Sequence, residues 1–346
     1  MSPYALSILL SSLSIGTVIT FISNHWFLAW MGLEINTLAI IPLMTKTHHP
    51  RATEATTKYF LIQASASALV LFSATTNAWL TGNWMITGME NWLSAALLTT
   101  ALAMKLGIAP FHLWLPDILQ GLDLLTGLIL STWQKLAPMI LMIQINHELN
   151  TNLLTIMAIL SILIGGWGGL NQIQLRKILA FSSIAHLGWM MLIMMFLPNL
   201  ALFNLIIYLF MTTSMFTMLM MLKATNINKL STSWTKNPTL AAIMLLTLMS
   251  LGGLPPMSGF MPKMLIMMEL VNQNMTTIAA TAAISSMLSL FFYLRLSYTL
   301  SLTTSPNLSN NYSTWRFNPL YMVLISPPII LSTMIMPIMS TLYMLI

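Results

Sequence analysis

Eleven long apolar runs, most of them about twenty residues in length, cover most of this chain of 346 residues. That length suits an α-helix that crosses a bilayer, and it is roughly twice the length of a strand in a membrane barrel. Only 6% of the residues are charged and 57% are hydrophobic, whereas about a quarter of the residues of a soluble domain are charged. The sequence therefore predicts an all-α polytopic membrane protein.

The predicted spans are joined by short connections and form a single membrane domain over residues 1–346. Their limits are 4–23, 26–44, 55–79, 93–117, 124–145, 152–170, 175–196, 199–223, 239–269, 275–302 and 320–345. The longest polar stretch, residues 303–319, is rich in Asn, Ser and Pro and is predicted to be a surface loop.

Most of the cations flank the even-numbered connections between spans. These ten of the thirteen are Lys46, Arg51, Lys58, Arg176, Lys177, Lys223, Lys229, Lys236, Arg295 and Arg316. The odd-numbered connections carry Glu90, Glu148 and Glu269 instead. Because membrane proteins keep their cations on the cytoplasmic side or its organellar equivalent, the even connections and the N-terminus are predicted to face that side. The C-terminus is predicted to face the opposite side.

The remaining cations, Lys105, Lys135 and Lys263, each fall inside a predicted span. Charge at that depth costs at least about 2.5–3.5 kcal/mol per residue, so such residues normally line a polar interior and mark an ion or proton path. Burial favours a neutral amine and a nearby carboxylate favours the ammonium, so a lysine between the two can gain and lose a proton. The alternative is a lysine paired with a carboxylate only to fix helix packing.

Glu34, His186 and His112 complete the candidate proton relay. Glu34 is central in its span and is the expected counterion, although a protonated glutamate that joins two helices is an alternative. Histidine can exchange protons near neutral pH, which suits His186 to a relay, but a core histidine bonded to Ser or to a carbonyl fits equally well. His112 lies about two turns beyond Lys105 and shares its helix face if the helix continues past Pro110.

Prolines interrupt the spans that carry two of these lysines. Pro110 follows Lys105, and Pro255, Pro256 and Pro262 precede Lys263. Proline removes a backbone hydrogen bond, and unpaired backbone at membrane depth survives only where protein or water covers it. Each break therefore predicts a small hydrated cavity.

The broken spans are the fourth and the ninth, so helices five positions apart cross the membrane in opposite directions. That pattern is typical of inverted repeats in secondary transporters. It predicts one five-helix repeat over residues 1–145, a second over residues 152–302 and a C-terminal helix over residues 320–346. In this pairing Glu34, on the second span, corresponds to His186, on the seventh.

The sequence predicts neither a metal site nor a redox cofactor in this chain. It contains no cysteine, which excludes disulfides and thiolate ligands. The 32 methionines lack the clustered spacing of thioether ligands. The glycine cluster GGWGG, residues 165–169, lacks the spacing of a phosphate loop and instead predicts close helix packing.

Four motifs resemble those of the antiporter-like, proton-translocating subunits of respiratory complex I. The motifs are KLGIAPFHLWLPD (105–117), STWQKLAPM (131–139), WMGLEINTLAI (30–40) and GLPPMSGFMPK (253–263). The resemblance covers essentially the full length. The Met-rich, Thr-rich, cysteine-free composition is also similar to that of mitochondrially encoded proteins.

This resemblance implies a non-redox subunit of a proton-translocating NADH:ubiquinone oxidoreductase in the mitochondrial inner membrane. The even connections would face the matrix, and the C-terminus would face the intermembrane space. By similarity, Glu34 and Lys105 form a switchable ion pair, Lys135 is a bridging relay and Lys263 belongs to the second half-channel. NADH, FMN, iron–sulfur clusters and ubiquinone would bind other subunits, where quinone reduction would drive the protons.

The partners that the resemblance implies are neighbouring antiporter-like subunits, other membrane-arm subunits and inner-membrane lipids, with no nucleic acid. Two other functions fit parts of the pattern. A free-standing cation/proton antiporter shares the buried lysines, but it needs acidic ligands for a metal cation, and only Glu34 is central in a span. A purely structural membrane subunit would use the buried ionisable groups only to hold helices together.

Overall fold

The computed structural model describes residues 2–235, 237–302, 319–334, 336–339, 341 and 343. The α-helices of this described part are α1 Pro3–Ile22, α2 Trp26–Met44, α3 Pro50–Thr81, α4 Trp92–Leu106, α5 Trp114–Gly121, α6 Leu124–Ser131, α7 Trp133–Gln144, α8 Thr151–Gly169, α9 Leu175–Met194, α10 Pro198–Leu222, α11 Ile227–Ser231, α12 Pro238–Gly252, α13 Phe260–Asn272, α14 Thr276–Leu302 and α15 Pro319–Met334. The predicted topology cations Lys236 and Arg316, most of the predicted loop 303–319 and parts of the last predicted span lie outside the described residues.

The predicted class, an all-α polytopic membrane protein, is confirmed. Among the described residues, eight helical segments are long and apolar enough to cross a membrane. Helix α3 begins at Pro50 rather than at the predicted residue 55. The His49 side chain caps it by accepting a hydrogen bond from the Arg51 N–H group at 3.1 Å, and proline suits the first position of a helix.

The chain divides into two compact units, and the first is Met1–Leu160. In this unit α1 and α2 approach closely where Gly16 faces Gly32, because a Cβ atom on Gly32 would lie only 2.8 Å from the Gly16 carbonyl oxygen. Small residues permit such contact between membrane helices. Helix α3 packs against α2, α4 and α5, and α7 packs against α1, α2, α4 and α6.

The second unit is Ser161–Ile346, and α9 lies in its interior. Helix α9 contacts α10, α13 and α14. The GGWGG cluster at the end of α8 lies close to α9, because a Cβ atom on Gly165 would lie 2.7 Å from the Ala185 nitrogen. Likewise, a Cβ atom on Gly166 would lie 2.9 Å from the Leu288 Cβ atom of α14. The packing role predicted for this cluster is confirmed.

Odd-numbered connections meet one another in the first unit. The Trp26 N–H group, at the end of the first connection, donates to the Trp84 carbonyl of the third at 3.0 Å. Glu148, from the fifth connection, accepts hydrogen bonds from the N–H groups of Gly88 at 2.5 Å and Met89 at 2.8 Å. These contacts place all three connections at one end of the unit.

Even-numbered connections meet in the second unit. The Leu175 N–H group, at the end of the sixth connection, donates to the Thr225 carbonyl of the eighth at 3.1 Å. The Arg295 guanidinium reaches from α14 to the Leu170 carbonyl at the end of α8, at 2.7 Å. Arg295 therefore directs its charge to the same end as the sixth connection, in agreement with its predicted grouping.

Candidate functional site

The first halves of the two broken spans end in the same way. Helices α4 and α12 are each 15 residues long, and each is followed by a glycine with positive φ, 77° at Gly107 and 78° at Gly253. In both, the glycine N–H group donates to a carbonyl three residues back, and the next N–H group donates five residues back. This Schellman pattern satisfies the last carbonyls of a helix and uses glycine because no Cβ atom opposes the positive φ.

The prolines lie beyond these glycines. Pro110, Pro255 and Pro256 fall in the connections that follow α4 and α12. Pro262 lies within the first turn of α13. The N–H groups of a first turn have no partner within the helix, so a proline there removes no helical hydrogen bond. The expectation that Pro262 interrupts the span is therefore wrong, since the interruption is already complete at Gly253.

Lys105 and Lys135 line the same small cavity in the first unit. Its volume is about 20 Å³, enough for one water molecule. Lys105, in the last turn of α4, is 6% exposed, and Lys135, in the first turn of α7, is 4% exposed. A helix carries partial negative charge at its C-terminal end and partial positive charge at its N-terminal end. Lys105 therefore lies at a partially negative helix end, and Lys135 lies at a partially positive one.

Uncharged polar residues of α2, α3 and α7 also line this cavity. The Gln63 amide of α3 donates to the Lys105 carbonyl at 3.4 Å, and the Gln134 amide of α7 donates to the Asn36 carbonyl of α2 at 3.1 Å. Tyr59 of α3 is buried and also lines the cavity. Sequence reasoning missed these residues, because each is uncharged and similar polar residues occur elsewhere on the same helices.

Glu34 lies on α2, half-buried, and its charge acts on Lys105. Within the described part of the chain, no ion pair of 4.0 Å or less joins the two. The Lys105 Nζ atom and the Glu34 Oε2 atom are both buried without a hydrogen bond to any described residue. The predicted partners are therefore near enough to interact electrostatically but are not in direct contact.

His112 lies in the connection between α4 and α5, because α4 ends at Leu106. The condition for a helix face shared with Lys105 is therefore not met. Its side chain is buried, 7% exposed, and the Nδ1 atom makes no hydrogen bond to a described residue. His112 is not one of the described residues that line the cavity of Lys105 and Lys135.

Lys263 and His186 line a second small cavity, in the second unit. Its volume is about 10 Å³, at the lower limit for one water molecule. The Lys263 Nζ atom donates to the Gly252 carbonyl at 3.1 Å, and this carbonyl belongs to the negative end of α12, which stabilises an ammonium. The His186 ring centroid lies 5.6 Å from that of Tyr208. None of the described residues lining this cavity is acidic.

Each unit thus contains a cavity of about the size of one water molecule with a buried lysine at a helix end. Amines, imidazoles and hydroxyls that share such a cavity can exchange protons over hydrogen-bond distances. The described residues contain no group of three or more His, Asp or Glu side chains that could hold a metal ion. The chemistry that the arrangement supports is proton transfer.

Residues 23–289 match the family model described as NADH:quinone oxidoreductase/Mrp antiporter, TM. Residues 290–343 match the NADH dehydrogenase subunit 2 C-terminus. NADH-ubiquinone oxidoreductase chain 2 of Xenopus laevis is 60% identical over 339 residues, which cover 98% of each chain. The protein of the same name from Squalus acanthias is 56% identical and covers 100% of this chain and 99% of the other.

Solved structures show the same fold. A chain of respiratory complex I from Thermus thermophilus matches with a TM-score of 0.82 and 25% identity, over 97% of this chain and 80% of that one. A chain of the Mrp complex from Dietzia sp. DQ12-45-1b has a TM-score of 0.80 over 86% of this chain and 60% of that one, but its 21% identity shows the fold alone. Since both the family model and relatives at 60% identity extend over most of its length, the chain belongs to the NADH-ubiquinone oxidoreductase chain 2 family, within the NADH:quinone oxidoreductase/Mrp antiporter membrane proteins.

Proposed function

We propose that this chain is a non-redox subunit of respiratory complex I and carries protons across the mitochondrial inner membrane as part of the NADH:ubiquinone oxidoreductase. The names of the relatives and the likeness to a complex I chain support this assignment. The observation that carries it is the meeting of Lys105 and Lys135 in one buried cavity, with the charge of Glu34 acting on Lys105. Burying two lysines at membrane depth costs free energy, and such residues normally mark an ion or proton path.

In this proposal Glu34 and Lys105 form the switch. When the carboxylate approaches, it stabilises the ammonium, and when it withdraws, the proton can pass to Lys135. His112 adds a proton-binding group near this step, and Lys263 with His186 serves the second unit. The driving energy comes from quinone reduction in other subunits, which bind NADH, FMN, iron–sulfur clusters and ubiquinone.

The proposal also assigns orientation and partners. The even connections face the matrix and the C-terminus faces the intermembrane space, because the flanking cations collect at the even connections. The chain sits among neighbouring antiporter-like subunits, other membrane-arm subunits and inner-membrane lipids. The similar ends of α4 and α12 support a first repeat over residues 1–145 and a second over residues 152–302.

The test replaces Lys105 by methionine, which keeps a long apolar stem and removes the proton-binding amine. The complex carrying Lys105→Met is purified, reconstituted into vesicles and assayed for the rate of NADH-driven proton pumping. We expect normal assembly and a loss of pumping of about tenfold or more, since a positioned proton-transfer group contributes roughly 10²–10⁴-fold. The matched control is Lys229→Met, which removes an exposed lysine of α11 and is expected to leave pumping unchanged.

Pumping at the normal rate by the Lys105→Met complex would contradict the proposal. If neutral substitutions of Lys105, Lys135 and Lys263 together left both pumping and assembly intact, the chain would be a purely structural subunit. If the chain were purified as a monomer with transport activity of its own, it would be a free-standing antiporter.

A further inference from the structure

The cavity of the second unit contains a buried hydroxyl that the relay described above does not use. It belongs to Tyr293 of α14, which is 2% exposed. The hydroxyl lies beside the Ser182 side chain, but it makes no hydrogen bond of normal geometry to any described residue. Because a buried polar group without a partner destabilises a protein, such a group needs either a compensating water or a functional reason.

Tyr293 lies against the helix end that Lys263 contacts. A Cβ atom on Gly252 would lie 3.7 Å from the Tyr293 Cβ atom, and the carbonyl of Gly252 accepts the hydrogen bond from the Lys263 ammonium. The Tyr293 side chain and the Lys263 ammonium therefore both lie beside Gly252, at the C-terminal end of α12. Both side chains line the same cavity.

Ser182 lies on α9, one turn before His186, and is 1% exposed. Residues four positions apart lie on the same face of a helix, and both side chains line the cavity with Lys263 and Tyr293. The Ser182 hydroxyl donates its hydrogen to the Leu179 carbonyl at 2.8 Å. Its oxygen lone pairs therefore remain available as acceptors toward Tyr293.

We propose that the Tyr293 hydroxyl, together with Ser182, carries protons between Lys263 and His186. The inference rests on the proposed function and names the groups that connect its two ionisable residues in the second unit. Lys263 of α13 and His186 of α9 both line the cavity. They provide an amine and an imidazole, but no hydroxyl. Tyr293 and Ser182 provide hydroxyls from α14 and α9, and each can donate and accept a hydrogen bond at the same time.

The transfer balances as a proton relay without oxidation or reduction. One N–H bond of the Lys263 ammonium breaks, and an O–H bond forms on the tyrosine oxygen, directly or through the single water that the cavity can hold. The tyrosine releases its own hydroxyl proton to the Ser182 oxygen. The serine hydroxyl turns from the Leu179 carbonyl toward the imidazole and passes its proton to His186. Lysine ends neutral and histidine ends cationic, while both hydroxyls are restored. The reverse sequence returns the proton.

The test is Tyr293→Phe in the intact complex, which keeps the aromatic ring in place and removes the oxygen. The complex is reconstituted into vesicles, and its NADH-driven proton pumping is compared in H₂O and D₂O. We expect normal assembly, pumping slowed by about tenfold and a larger solvent isotope effect, because the remaining proton transfer becomes rate-limiting. A mere packing defect would not raise the isotope effect. The matched control is Tyr298→Phe, an exposed tyrosine of the same helix.

Ser182→Ala supplies the second test. If both hydroxyls belong to one path, the double variant is expected to pump no more slowly than the slower single variant, because residues that act as one unit are not additive. Normal pumping by Tyr293→Phe, additive losses, an unchanged isotope effect or failed assembly would each overturn the inference.

A Lys263→Met complex separates this inference from the proposed function. If Lys263→Met slows pumping and Tyr293→Phe does not, only the role of the tyrosine is lost. If Lys263→Met itself pumps normally, the proton path proposed for the second unit is wrong.

Discussion

Two of the three buried lysines, Lys105 and Lys263, lie at the C-terminal ends of helices, which stabilise their charge in different ways. Lys263 reaches back from α13 to the Gly252 carbonyl, which α12 leaves exposed where it ends. Lys105 belongs to the last turn of α4, where the helix field favours an ammonium, and Gln63 occupies its backbone carbonyl. A helix break in the membrane thus supplies both polar backbone and a place for charge.

Gly253 allows the Lys263 ammonium to lie against the end of α12. A Cβ atom at Gly253 would lie 2.9 Å from the Lys263 Nζ atom, closer than a real Cβ contact allows. We therefore expect Gly253→Ala to displace the ammonium from the Gly252 carbonyl and to slow proton pumping severalfold. Pumping by the reconstituted complex checks this, and thermal inactivation of the complex measures the accompanying loss of stability.

Gly82→Ala is the control for backbone strain at Gly253. Gly82 has nearly the same φ, 75°, but nothing lies within 4 Å of a Cβ atom built on it. Both substitutions incur the left-handed penalty of about 1–2 kcal/mol, so both should lower the temperature of inactivation. When the pumping rate is divided by the amount of assembled complex, only Gly253→Ala should lower it. Equal pumping by the two variants would contradict the contact between Gly253 and Lys263.

At the scale of helices, apolar runs located the spans because a bilayer demands about twenty apolar residues in succession. The predicted spans 4–23 and 26–44 lie within one residue of α1 and α2. The breaks in the fourth and ninth spans could be anticipated because Gly and Pro occur beside the lysines. The break in the fifth span was not anticipated, although Pro138 lies three residues beyond Lys135, because neither Gly nor Pro stands at the break itself.

Three hydrogen bonds meet at one carbonyl beside that break. The side chains of Ser131 and Thr132 both donate to the Leu128 carbonyl, at 3.1 Å and 2.7 Å, and the Thr132 N–H group donates to the same carbonyl at 3.0 Å. Because α7 begins at Trp133, Lys135 lies in its first turn rather than in the middle of a helix. The Gly107 turn has a similar effect on His112, which it removes from the helix that carries Lys105.

Only the charged residues of the candidate site could be predicted from the sequence. Lys105, Lys135 and Lys263 were identifiable because a buried ammonium is costly and the topology leaves these three unexplained. Gln63, Gln134 and Tyr293 carry no charge, and similar residues occur throughout the chain at positions without such a role. Their place on the cavity walls depends on how helices pack, which hydrophobic periodicity does not determine.

At the scale of the whole molecule, the proposed orientation can be tested by chemical labelling, because the chain has no cysteine. Asn83 lies in the third connection and Lys229 in α11, within the eighth, and both are exposed. A membrane-impermeant maleimide applied from the intermembrane-space side is expected to label Asn83→Cys and to spare Lys229→Cys, since cations mark the matrix side. Labelling of both after detergent solubilisation is the control. The opposite pattern before solubilisation would reverse the orientation.

We propose that each cavity forms part of a hydrated proton path. The most direct measurement is a density map of the assembled complex that is sharp enough to show ordered water. We expect a water molecule hydrogen-bonded to the Lys105 Nζ atom in the cavity shared with Lys135, and another between Lys263 and Tyr293, because each cavity has room for one. Dry cavities, with these lysines bonded only to protein atoms, would contradict the account.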